Sequence, residues 1–184
     1  MSNPLDAIIS LLDEPFRSKC RKMYYDHQVA FDHVPGSLSK HQAWPGGLVD
    51  HIFETAMIAE TIYGRFNPIR PLPFKLGDVY LILFLHDIEK AWRYRKVNGQ
   101  KIAIGRTPAE RKQFTLDKIR EYGIELNLEQ MNALLYIEGE GSAYNPDFRV
   151  MNALGAFCHM CDTASSRIWY EYPEPSNRNG RPAS

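Results

Sequence analysis

An all-α bundle carrying one small β-hairpin is the fold this sequence predicts, and three observations carry the prediction. Apolar residues recur at three- and four-residue spacing, as along Leu48, His51, Thr55, Ile58 and Ile62. Helix-start signals precede several such segments: Asn3-Pro4, Thr107-Pro108-Ala109-Glu110 and Asn127 to Gln130. One dipeptide, Asn98-Gly99, tolerates the positive φ angles of a type I′ turn and reads as a hairpin between Arg95-Lys96-Val97 and Gln100-Lys101-Ile102.

The elements follow in order. Asn3 caps a short helix with proline at its first position, running through Leu12. A second helix is expected from Phe16 to Phe31. Val34 to Gly47 holds prolines and glycines and reads as a loop that delivers the next helix, with His51 on its inward face. Asn67 to Pro73 is a proline-rich turn, and an apolar helix then runs to Lys90. After the hairpin come a helix from Thr107 with Gly123 as its stop, a helix from Asn127 to Tyr136, a loop from Glu138 to Phe148, and a last helix from about Val150 to Tyr170. Residues 1–172 therefore read as a single domain. Residues 173–184, with several prolines and almost no apolar side chains, read as a disordered tail.

The chain has 184 residues, enough for one sizeable core. Its 22 basic and 22 acidic residues cancel to a formal charge of +0, which argues against tight nonspecific nucleic-acid binding. Cys158 and Cys161 form a CxxC, but without a second pair and inside an apolar helical pattern, so they and Cys20 read as ordinary buried thiols. No basic-then-apolar leader opens the sequence and no apolar run approaches ~20 residues, so a soluble cytoplasmic protein with no membrane partner is expected.

The chemistry concentrates at His86-Asp87. The doublet ends the apolar run Val79-Tyr80-Leu81-Ile82-Leu83-Phe84-Leu85. An imidazole and a carboxylate carried inward by such a run cost several kcal/mol unless something compensates them. A cation would compensate both. His51 and Asp162 offer two more ligands in similar helical settings, and two imidazoles with two carboxylates suit a divalent first-row metal. Adjacent helix residues splay by about 100°, so both members of the doublet can reach one ion only at a helix end or corner.

The order His51, His86-Asp87, Asp162 resembles the signature of the HD-domain metal-dependent phosphohydrolases, over roughly Gly46 to Arg167. Leu83 to Lys90 is similar to the family's apolar run followed by HDxxK, and Cys161 to Arg167 to its last helix. The resemblance implies an HD-domain helical bundle with metal ligands His51, His86, Asp87 and Asp162. With no histidine from Asp87 to Cys158, one protein-held metal is expected, a divalent transition ion (Zn, Mn or Co) by the two imidazoles, and Mg can accompany substrate phosphates. Asp87 and Lys90 are the catalytic candidates, Asp87 orienting the attacking water and Lys90 stabilising phosphoryl charge. Glu89, where many members carry glycine, is expected at the surface.

The resemblance further implies a small nucleotide hydrolase: a dNTP triphosphohydrolase, with dATP as one candidate substrate, or a 5′-deoxynucleotidase. The basic segment after the doublet supplies Arg93, Arg106, Arg111 and Lys112 as candidates to hold a polyphosphate tail. The loop His41-Gln42-Ala43-Trp44-Pro45-Gly46-Gly47 is similar to the entry of HD-type 3′–5′ exoribonucleases. It makes His41 a candidate substrate contact and Trp44 a candidate base-stacking residue. That similarity keeps a 3′–5′ exonuclease or phosphodiesterase acting on nucleic acid as the alternative. Against it stands the absence of any histidine from Asp87 to Cys158, which points to one metal rather than two. A nucleotide-sensing module that binds without turnover is the non-enzymatic alternative. Many relatives are multimeric, so a homo-oligomer is compatible with the sequence.

Overall fold

The three helix-start signals each have a physical cap in the computed structural model, which describes residues 3–97, 100–103 and 107–168, without the side chains of 95–97 and 100–103. Asn3 accepts from the Leu5 amide and opens α1 (Pro4–Ser10). The Thr107 and Glu110 side chains reciprocally satisfy the first amides of α7 (Pro108–Glu121), and Asn127 with Gln130 does the same for α8 (Leu128–Tyr136). Each device removes an orphan donor at about 1 kcal/mol.

The single helix expected over Phe16–Phe31 is two: α2 (Phe16–Asp26) and α3 (Gln28–His33), broken at His27. The break lays the His27 ring edge-on against Trp92, with centroids 4.6 Å apart. It also turns Phe31 into the core, stacked on Phe84.

The segment between α3 and α4 (Gly47–Phe66) is packed backbone to backbone. The Gly36 amide donates to the Gln42 carbonyl at 2.9 Å, and a Cβ on Gly47 would collide with that same carbonyl. Gln42 itself sits at φ +43°, and Gly46 at φ +82° turns the chain into α4.

α5 (Leu76–Leu85) is buried along Val79–Leu85, the pattern of a helix enclosed on all sides. α4, α8 and α1 pack against it, together with α9 (Ala153–Ile168). The predicted helix to Lys90 therefore stops earlier, at His86, and a turn leads into the short α6 (Lys90–Arg93). Next, β1 (Tyr94–Val97) and β2 (Gln100–Ala103) pair antiparallel, Tyr94 opposite Ala103. The Asn98-Gly99 turn lies outside the described residues, as do Arg106 and the expected tail 173–184. The architecture is an all-α bundle, and among the described residues no helix is long and apolar enough to cross a membrane.

Candidate metal centre

The donors converge because three helices meet where α5 ends. His51 lies on the first turns of α4, fully buried. His86 is the C-cap of α5 and Asp87 the next residue, so the doublet occupies a helix end, where both side chains can turn to one point. Asp162 comes from the middle of α9.

His51 Nε2 lies 3.3 Å from His86 Nε2. Asp87 Oδ2 stands 3.5 Å from the first and 3.2 Å from the second. His51, His86 and Asp87 form a cluster that could hold a metal ion. Asp162 Oδ1 approaches the same two nitrogens, at 3.1 Å from His51 and 3.8 Å from His86.

The donor set fits a divalent cation on two grounds. With metal–ligand bonds of about 2.0–2.1 Å, ligand atoms are roughly 2.9 Å apart along an octahedral edge and 3.4 Å along a tetrahedral one; the observed separations, 3.1 to 3.8 Å, lie around the second and above the first. The second ground is the far side of each ring. His86 Nδ1 donates to the Leu83 carbonyl at 2.7 Å, and His51 Nδ1 meets the Ser165 hydroxyl at 3.1 Å. His86 thus turns its Nε2 lone pair toward His51, and where His51 likewise carries its proton on Nδ1, two facing lone pairs need a proton or a cation between them.

Electrostatics follow from that arrangement. Burial opposes charge on His86, but the Asp87 and Asp162 carboxylates outweigh it and raise its pKa to about 9. Burial dominates at His51 and lowers its pKa. Asp87 is held well below the usual carboxylate range, because Lys90 and His86 overcome the effect of its burial.

Lys90 is only 8% exposed, and its Nζ donates to Asp87 Oδ2 at 2.5 Å, the same oxygen that faces both histidines. Burial would lower its pKa, yet the Asp87 charge raises it.

Glu89 corrects an expectation: it is 5% exposed, not a surface residue. Burial and the neighbouring Asp87 push its carboxyl up to about 7. Its Oε1 lies 3.6 Å from Arg93 and 3.8 Å from Arg111, so these two candidate phosphate contacts are already paired with a carboxylate. Lys112 donates to the Leu135 carbonyl at 2.8 Å. Arg111 and Lys112 do border a cavity beside His86, with Glu89 and Thr115. At about 30 Å³ it has room for a water and not for a nucleoside.

Trp44 donates its indole N–H to Asp50 at 2.8 Å, tying the entry loop to α4. The His41 ring stands 4.9 Å from that of His51, beside the cluster, and burial followed by the neighbouring His51 lowers its pKa to about 4. His41 is therefore neutral at pH 7. His159, by contrast, bonds the Ile137 carbonyl at 2.6 Å and belongs to the α8–α9 packing.

Sequence reasoning missed three buried residues behind His51. Ser165 donates to Glu54 Oε2 at 2.6 Å, and Gln42 Nε2 donates to the same oxygen at 2.7 Å. A signal existed: Glu54 follows His51 by three residues and Ser165 follows Asp162 by three, so each shares a helix face with a ligand.

Compared with protein-family models, with curated proteins and with solved structures, the chain finds no match in any of the three.

Proposed function

We propose that this chain is an HD-domain metal-dependent phosphohydrolase acting on (deoxy)nucleotides, a dNTP triphosphohydrolase or 5′-deoxynucleotidase. The observation that carries the reading is the convergence of His51, His86, Asp87 and Asp162 on one point in the order His, His-Asp, Asp. Those four residues would hold one divalent transition metal. When bound, it supplies Lewis acidity, making water a nucleophile at neutral pH and drawing charge from a phosphoryl oxygen.

The protein's own part is positional and electrostatic. Asp87 offers one oxygen to the centre and keeps it anionic against burial. Lys90 places a fixed positive charge beside that oxygen, where it can offset charge that grows on a phosphoryl group during attack on phosphorus. Neutral His41, beside His51, adds no charge to the site, and with its pKa lowered to about 4 it stays a weak base there. Arg111 and Lys112 border the same side of the centre and suit the outer phosphates better than the base, since the cavity there excludes a nucleoside.

The test is a panel of dNTPs, NTPs, nucleoside monophosphates, cyclic nucleotides and short oligonucleotides with Mn²⁺, Co²⁺, Zn²⁺ or Mg²⁺. Products are resolved as phosphate, pyrophosphate or triphosphate. Turnover of a nucleotide that is lost together with bound metal in Asp162→Ala supports the reading. Metal binding without turnover of any member would make the chain a nucleotide-sensing module instead, and cleavage confined to oligonucleotides would make it a nuclease.

A further inference from the structure

Behind His51 the polar chain continues past Ser165 to Glu54 and Gln42. The Ser165 hydroxyl has one proton, and its 2.6 Å contact with Glu54 Oε2 uses it. The serine oxygen is then left as an acceptor, and His51 Nδ1 lies 3.1 Å from it. An acceptor there requires His51 to carry its proton on Nδ1. Gln42 locks the arrangement, donating to Glu54 Oε2 at 2.7 Å and to Ser165 Oγ at 3.2 Å. Its carbonyl oxygen meanwhile contacts His41 Nδ1 at 2.5 Å. Ser165 and His51 are fully buried and Glu54 nearly so, which leaves little water to substitute for a missing partner.

We infer that Glu54 is a positioning residue for the metal centre: through the Ser165 hydroxyl it holds His51 as the Nδ1–H tautomer and so aims the Nε2 lone pair at the cation. The inference rests on the metal reading above but does not depend on which substrate is turned over. Glu54 touches neither substrate nor ion. Its role is to decide which nitrogen of His51 is basic, and Gln42, set at φ +43° by the packed loop before α4, keeps the carboxylate and the hydroxyl in register.

Two measurements test it. Long-range ¹H–¹⁵N correlation of the imidazole nitrogens in the wild-type protein should show His51 protonated on Nδ1, and a proton on Nε2 alone would overturn the inference without any variant. Zn²⁺ affinity by chelator competition supplies the second readout. Ser165→Ala should weaken Zn²⁺ about 10- to 100-fold, the range for loss of a ligand's orienting partner. Glu54→Gln, a milder change, should weaken it about tenfold.

Because Glu54 acts through Ser165, Glu54→Gln added to Ser165→Ala should cost nothing more, whereas independent structural effects would add. Additive losses with an unshifted thermal midpoint would overturn the relay. A wild-type protein that binds no Zn²⁺, Mn²⁺ or Co²⁺ would sink the metal reading instead, and the tautomer measurement would still decide the role of Glu54.

Discussion

Lys90→Met should destabilise the protein strongly, and a divalent cation should restore part of the loss. Lys90 and Asp87 are 8% and 7% exposed, and their charges meet at 2.5 Å. At an effective dielectric near 20, that separation corresponds to roughly 7 kcal/mol of gross attraction. Most of it offsets the desolvation of two ions, so the pair adds little net stability. Removing one member is different, because Asp87 then keeps only His86 as a cationic neighbour in a buried site, at up to about 3–5 kcal/mol. For a chain of this size that lowers Tm by roughly 6–20 °C. A cation on the His51, His86 and Asp87 cluster would neutralise the same carboxylate. The deficit of Lys90→Met relative to wild type should therefore shrink when Mn²⁺ or Zn²⁺ is added. Calorimetry or circular dichroism melts of both proteins, with and without metal, provide the comparison. A Tm within 2 °C of wild type in the absence of metal would refute the argument that Asp87 depends on Lys90.

Gly47→Ala should push the Gln42 carbonyl aside, since a Cβ there has no space, at a cost of about 1–3 kcal/mol. Thermal melts would show it, and a wild-type midpoint would mean that the loop before α4 is looser than its packing indicates. The three thiols are buried, and burial raises the pKa of Cys20 and of Cys161 to about 12 and that of Cys158 well above the usual thiol range. They should stay neutral and unreactive toward a thiol-directed disulfide reagent at pH 8, all three reacting only on unfolding; rapid labelling of the native protein would contradict this. Thr107→Ala should cost about 1 kcal/mol through the lost cap on α7 while leaving Zn²⁺ affinity unchanged, because that cap has no bond to the cluster.

Where the sequence was informative, a single local force decided the structure. The reciprocal caps at Thr107 and Asn127 need only four residues each, so they could be read directly. The ligand helices were legible for a related reason: an apolar run ending in His86-Asp87 makes an uncompensated burial cost that some partner must answer. The break at His27 was not legible, because it depends on Trp92, Phe84 and Phe31 meeting across the fold. Glu89 was misread as a surface residue for the same reason. Its burial follows from Arg93 and Arg111 closing over it, and Arg111 arrives from a different helix. The Glu54–Ser165 contact was missed although each residue shares a helix face with a ligand, because a shared face does not say which polar groups, here 111 positions apart, meet across two helices.

That separation has a consequence for how the molecule is made. His51 and Glu54 leave the ribosome early, on α4, but the hydroxyl between them belongs to α9, the last described helix. At translation rates of about 5–20 residues per second, the 114 residues from His51 to Ser165 take roughly 6–20 s to synthesise. For that interval the His51–Glu54 face of α4 lacks the Ser165 hydroxyl, although Gln42 can already donate to Glu54. The N-terminal helices can collapse on their apolar sides while this face stays in water until α9 docks. Completion of the site is thereby tied to completion of the bundle, and a nascent chain cut short before residue 165 would have ligands but no means of orienting His51.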